Sequence, residues 1–115
     1  MNPQSAKNKG RKFQQWVRDL LLKYAPALEK DDIQSRSMGA GGEDIMLSPA
    51  ARKVYPVSIE CKSKASYAFY KDYEQAKFNA PKGTQPLLFC KANHKEPVVI
   101  VDAEWFVKNI LKGRK

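Results

Sequence analysis

The stretch Val54–Lys62 constrains the fold of this chain more than any other. From position 57 its residues alternate, with Val57, Ile59 and Cys61 to one side and Ser58, Glu60 and Lys62 to the other. Strand side chains point to opposite faces with a period of two, so this is a half-buried strand with one apolar and one polar face. A helix to cover such a strand lies upstream. Phe13, Trp16, Val17, Leu20, Leu21 and Tyr24 recur at offsets of 3, 4, 7, 8 and 11 and make one apolar stripe, which Pro26 terminates.

Between these two signals, Asp32–Ser37 reads as a short strand, Met38–Gly42 as a glycine loop and Ile45–Leu47 as a buried strand broken by Ser48-Pro49. Downstream, a helix is expected from about Tyr70 to Ala80, ended by Pro81 and Gly83. Pro86–Lys91 and Val98–Val101 are strand-length apolar runs separated by the polar turn Ala92–Pro97. Asp102 is placed to cap a last helix, Ala103–Lys112, with Phe106 and Ile110 on its inner face. Residues 1–8 and 113–115 read as loose ends of a single domain. The order of elements predicts an α/β fold, a central mixed sheet of about five strands flanked by helices.

Twenty-one Lys and Arg against twelve Asp and Glu leave a net charge of +9 on 115 residues. That excess points to a polyanion, nucleic acid before an anionic membrane surface. No run approaches the roughly 18 apolar residues that span a bilayer, and no basic amphipathic helix is expected to expose an apolar face for membrane insertion. The N-terminus lacks the apolar stretch of a secretory signal. Cys61 and Cys90 sit singly within apolar runs, as expected of reduced, buried thiols in a cytoplasmic protein. With His94 the only histidine, a structural zinc site has too few ligands.

The polar face of the alternating strand carries the chemistry. Glu60 and Lys62 lie on one side, roughly 7 Å apart by strand rise. Asp44 opens the preceding strand, so neighbouring strands can bring the two carboxylates together around one divalent cation, with the Cys61 carbonyl as a further ligand. Lys62 would then stabilise charge on a phosphate or position water. Gly39, Gly41 and Gly42 let a phosphate approach the backbone. A Glu/Lys pair on a strand is more often a solvated face; the apolar opposite face and the upstream glycine loop favour a site.

Gly42-Glu43-Asp44, followed after fifteen intervening residues by Glu60-x-Lys62, resembles the PD-(D/E)xK nuclease superfamily. Within it the chain is most similar to archaeal-type Holliday junction resolvases and related phage endonucleases. Lys9-Gly10 matches their helix start, Arg36-Ser37-Met38-Gly39 the segment before the aspartate, Ser63-Lys64 the stretch after the strand, and Tyr73–Ala76 a glutamine-bearing helix. The likeness spans roughly residues 9–101. It implies a restriction-endonuclease-like fold, Mg²⁺ (with Mn²⁺ substituting) on Asp44 and Glu60, a homodimer, and cleavage of branched DNA.

In one place the pattern departs. The resolvases carry a glutamate four residues after the helix-start glycine, where this chain has Gln14. Gln14 can still face the site and hold a metal-bound water, but adds no anion; one metal or weaker metal binding is the expectation. Glu43 is the one residue placed to compensate, although alternation points it away from Asp44, and Gln15 lies on the solvent side. Gln75 is either a site residue that orients substrate or water, or a polar position on its helix.

Tyr67, Phe69, Tyr70 and Tyr73 are either stacking surfaces for unpaired bases or packing and dimer residues. Lys7, Lys9, Arg11 and Lys12, placed against the first helix's dipole, are the expected DNA contacts, with Arg36, Ser37 and Lys64 nearer the site. The C-terminal basic residues, Lys108 to Lys115, complement their own helix dipole. The alternatives to a resolvase are a nicking or replication-fork nuclease of the same fold and a non-catalytic nucleic-acid-binding module in which Gln14 marks a degenerate site.

Overall fold

A computed structural model describes residues 3–37, 39–65 and 68–112. In chain order it contains helix α1 (Pro3–Lys23), strands β1 (Ile33–Ser35) and β2 (Ile45–Leu47), and helix α2 (Pro49–Val54). Strand β3 (Val57–Ser63), helix α3 (Phe69–Asn79), strands β4 (Gln85–Lys91) and β5 (Val98–Ile100), and helix α4 (Ala103–Lys112) follow. The α/β class and the five strands agree with the sequence reading. The expected looseness of 1–2 and 113–115, the aromatic Tyr67 and the loop residue Met38 lie outside the described residues.

The strands form two sheets rather than one. β3 and β4 pair in parallel from Val57↔Gln85 to Ser63↔Lys91, and β5 adds antiparallel to β4. β1 and β2 make a separate antiparallel pair, with Ile33 opposite Leu47 and Ser35 opposite Ile45. Asp44 links them through its main chain. The Asp44 N–H donates to the Ile59 carbonyl at 2.9 Å, and the Asp44 carbonyl accepts the Arg36 N–H at 2.8 Å. β2 is only three residues long, and Ser48 and Pro49 turn the chain into α2 before a ladder with β3 can extend.

β3 is buried on both faces by different helices. On the side of α1, Val57 and Ile59 join Phe13, Val17, Leu21, Ile33, Ile45 and Phe89 in the main core. Truncating fully buried Val17 or Ile33 there should cost about 2–5 kcal/mol. On the other side lie Ser58, Leu88 and Cys90, beneath α3, whose Ala76 is buried. Cys61 and Cys90 are free thiols. Cys61 is opposite Phe89 and Cys90 opposite Lys62, so the two point to opposite faces, and burial pushes the Cys90 thiol up to about 11.

Local chemistry explains several departures from expectation. Residues 3–8 are helical, so Lys9, Arg11 and Lys12 sit beyond the first turn of α1. The dipole acts mainly within the first turn, so these charges do not oppose it as expected. The buried line of α1 is Phe13, Gln14, Val17 and Leu21, while Trp16 and Tyr24 are exposed. α2, unforeseen, is marked by an N-cap: the Ser48 hydroxyl accepts the Ala51 N–H, with Pro49 at the first position.

α4 has the expected bounds, capped by Asp102, whose carboxylate accepts the Trp105 N–H at 2.8 Å. Its inner residue is Trp105, however, which packs on the core. Phe106, Val107 and Ile110 are half-exposed, so Phe106 and Ile110 do not form the expected inner face. No helix among the described residues is long and apolar enough to cross a membrane.

Candidate active site

Asp44 occupies the junction between the two sheets. The loop before it turns at Gly42, with φ +91°; a Cβ there would lie 3.4 Å from the Arg36 guanidinium, which packs over the glycine. Arg36 Nε donates to the Glu43 carbonyl and ties the loop to β1. With its main chain held on both sides, Asp44 extends Oδ2 to accept the Cys61 N–H at 2.8 Å. A strand residue's N–H and C=O lie on the same edge, so the Cys61 carbonyl faces the edge that Asp44 occupies.

Glu60 and Lys62 follow on β3, on the face covered by α3. Glu60 is 4% exposed; its Oε1 accepts from Asn79 Nδ2 at 3.2 Å and its Oε2 lies 3.6 Å from Lys62 Nζ. Burial first, and then the neighbouring Asp44 carboxylate, push the Glu60 carboxyl up to about 7. Burial also raises Asp44, against the Cys61 N–H and Lys62, which favour its charged form. Two acids in mutual contact and partly out of water are unfavourable when both are charged.

A hard divalent cation relieves that repulsion. The donor set, two carboxylates and a main-chain carbonyl, is all oxygen and suits Mg²⁺ or Mn²⁺. The residues therefore fit such an ion. Among the described residues, no group of three or more His, Cys, Asp or Glu is placed to hold a metal ion, and the two acids that meet here are Asp44 and Glu60.

The other expected site residues disperse. Gln14 is buried, but its Oε1 accepts from the Ser35 hydroxyl at 3.3 Å, beneath β1 on the α1 side. Gln75 is exposed, and α3 instead places Asn79, one turn further on, against Glu60. The sequence offered one hint of this: positions 75 and 79 share a helix face. Glu43, as expected, turns away from Asp44. Both its carboxylate oxygens meet Arg52 of α2, at 3.1 and 3.2 Å, and Arg52 also donates to the Val57 carbonyl. Lys64, expected at DNA, pairs with buried Asp72 at 2.9 Å. Ser37 is exposed beside the glycine loop, and Arg11 contacts Asn8.

Lys9 and Lys12 lie elsewhere, along a groove of about 620 Å³ at the C-terminal ends of β3 and β4, on the α1 side. Lys9 Nζ donates to Asn93 Oδ1 at 2.6 Å, joining the helix to the turn after β4. Ser63 lines this groove, one residue beyond Lys62. None of the known protein families, curated proteins or solved structures compared with this chain matches it.

Proposed function

We propose that this chain is a metal-dependent endodeoxyribonuclease with a restriction-endonuclease-like arrangement of the PD-(D/E)xK kind. It hydrolyses phosphodiester bonds in branched DNA, with the four-way Holliday junction as its favoured substrate. The observation that carries this reading is the convergence of Asp44 and Glu60 from different strands, with Lys62 on the same face as Glu60. A net charge of +9 suits a DNA partner. The free thiols suit the cytoplasm.

Asp44, Glu60 and the Cys61 carbonyl would hold Mg²⁺ or Mn²⁺. Such an ion, when bound, supplies charge neutralisation for the phosphate and a more acidic water. The Cys61 N–H fixes the Asp44 carboxylate and Asn79 fixes that of Glu60, so both are oriented before metal or substrate arrives. Lys62 presents its ammonium beside Glu60, where it would stabilise the growing negative charge as water adds to phosphorus and the ester oxygen leaves. Symmetric cutting of a junction requires a two-fold homodimer, which belongs to the same proposal.

The rival reading, a non-catalytic nucleic-acid-binding module, draws on Gln14, which is engaged with Ser35 rather than with the carboxylates. Cleavage of a labelled four-way junction beside the matching linear duplex, with Mg²⁺ or Mn²⁺, decides between them. Symmetric cuts in the junction alone, lost in Asp44→Ala and Lys62→Ala, are the expected result. Equal cutting of both substrates would remove the junction preference. Salt-dependent binding with no cleavage at any metal concentration would overturn the nuclease reading.

A further inference from the structure

The groove beside α1 has features that the carboxylate site does not use. Lys9, Lys12, Phe13 and Trp16 fall at offsets of 3, 4 and 7 on one face of α1 and all line it. Lys91 lines the opposite wall, and no carboxylate lines it among the described residues. Phe13 is buried, and the Trp16 indole lies nearly parallel to it, with ring centroids 6.1 Å apart and an interplanar angle of 16°. Trp16 is nevertheless 44% exposed. Its ring is thus backed by the core and open to solvent, between ammonium groups.

An aromatic platform flanked by lysines matches the chemistry of an unpaired nucleotide, with a base to stack and a phosphate to neutralise. Duplex DNA does not present a free base face, so the platform selects single strands. We propose that this groove binds a single-stranded DNA segment, one base stacking on Trp16 and the adjoining phosphates meeting Lys9, Lys12 and Lys91. That the strand is DNA rests on the nuclease reading; the stacking and charge complementarity do not. Ser63 in the groove adjoins Lys62 along β3, on the opposite face. A strand leaving the groove over the end of the sheet reaches the side of β3 that carries Lys62, and the groove would select junctions or forks with unpaired nucleotides.

The chain has two tryptophans, and Trp105→Phe leaves Trp16 as the only indole. Titration of this protein with octathymidylate should quench the indole emission. An abasic octamer with the same phosphates should bind about tenfold more weakly without quenching. Lys12→Ala, at an exposed position, should weaken binding and reduce its salt dependence. Wild-type protein compared with Trp16→Phe reads the same signal without altering the core, should Trp105→Phe fold poorly. Equal binding of the two octamers, or binding without quenching, would overturn the stacking site.

Quenching by octathymidylate in a protein that cleaves nothing would support the groove while removing the nuclease. Cleavage without quenching would do the reverse. Tighter binding of an octauridylate than of the DNA octamer would overturn the assignment to DNA.

Discussion

Asp44 Oδ2 accepts the main-chain N–H of Cys61 at 2.8 Å, across the gap between a two-stranded and a three-stranded sheet. This hydrogen bond fixes one carboxylate against the strand that carries the other. It also makes Asp44 responsible for part of the raised Glu60 pKa, second to burial. In Asp44→Asn the Glu60 carboxyl should therefore titrate below about 7, though above its ordinary value of 4.5, because burial persists. Carbon-13 NMR of the labelled side chain gives the value directly. An unchanged value would mean that the two acids do not interact.

The same group makes stability depend on pH. An acid whose folded-state pKa exceeds its unfolded value holds its proton more tightly when folded, so its stabilising contribution is complete below the unfolded value and is lost as pH rises through the folded one. For Glu60 that window runs from about 4.5 to about 7. Metal-free protein should lose thermal stability across it, and Glu60→Gln should flatten the loss. Under the proposed function, Mg²⁺ added above the window should raise the melting temperature of wild type, as an ion held by the folded carboxylate pair stabilises that state. Melts with and without the ion, compared across the window, test both statements.

Asn79 and Gln75 differ sharply despite their common helix. Asn79→Ala removes the donor to Glu60 Oε1 and should reduce metal affinity or cleavage rate by about tenfold or more. Gln75 is exposed, and Gln75→Ala should stay within about twofold of wild type. Metal-dependence curves for the two variants, run in parallel, separate the roles. A large loss in Gln75→Ala alone would reverse the assignment.

Glu43 adjoins the site residue Asp44 in sequence but serves the fold. It is 5% exposed and paired through both oxygens with Arg52. Arg52→Ala leaves that buried carboxylate without its partner and should destabilise the protein by about 3 kcal/mol. Replacing both residues with apolar ones of similar volume should recover much of that loss. Urea denaturation of the single and double variants measures the coupling.

Under the proposed function, transition-state stabilisation by Lys62 predicts a loss of about 10²–10³-fold in the cleavage rate of Lys62→Ala, with DNA binding little altered. Single-turnover cleavage with saturating protein isolates that step. A change confined to binding would make Lys62 a phosphate contact only.

Local chemistry determined much of this protein. The period-two alternation of β3, the i,i+4 spacing of Phe13, Val17 and Leu21, and the Asp102 cap of α4 are all visible in the sequence, since each depends on residues a few positions apart. The Ser48-Pro49 start of α2 was equally visible, but six residues are too few for a periodic pattern. Tertiary structure decided the pairings. That Glu43 meets Arg52, that Lys64 meets Asp72, that Asn79 rather than Gln75 reaches Glu60, and that Gln14 turns to Ser35 all depend on how the helices seat on the sheets. The same holds for the faces of α1 and α4, where the exposure of Trp16 and Phe106 follows from where neighbouring elements end. An apolar residue on an amphipathic helix is buried only where another element covers it, and sequence periodicity does not say where that cover stops.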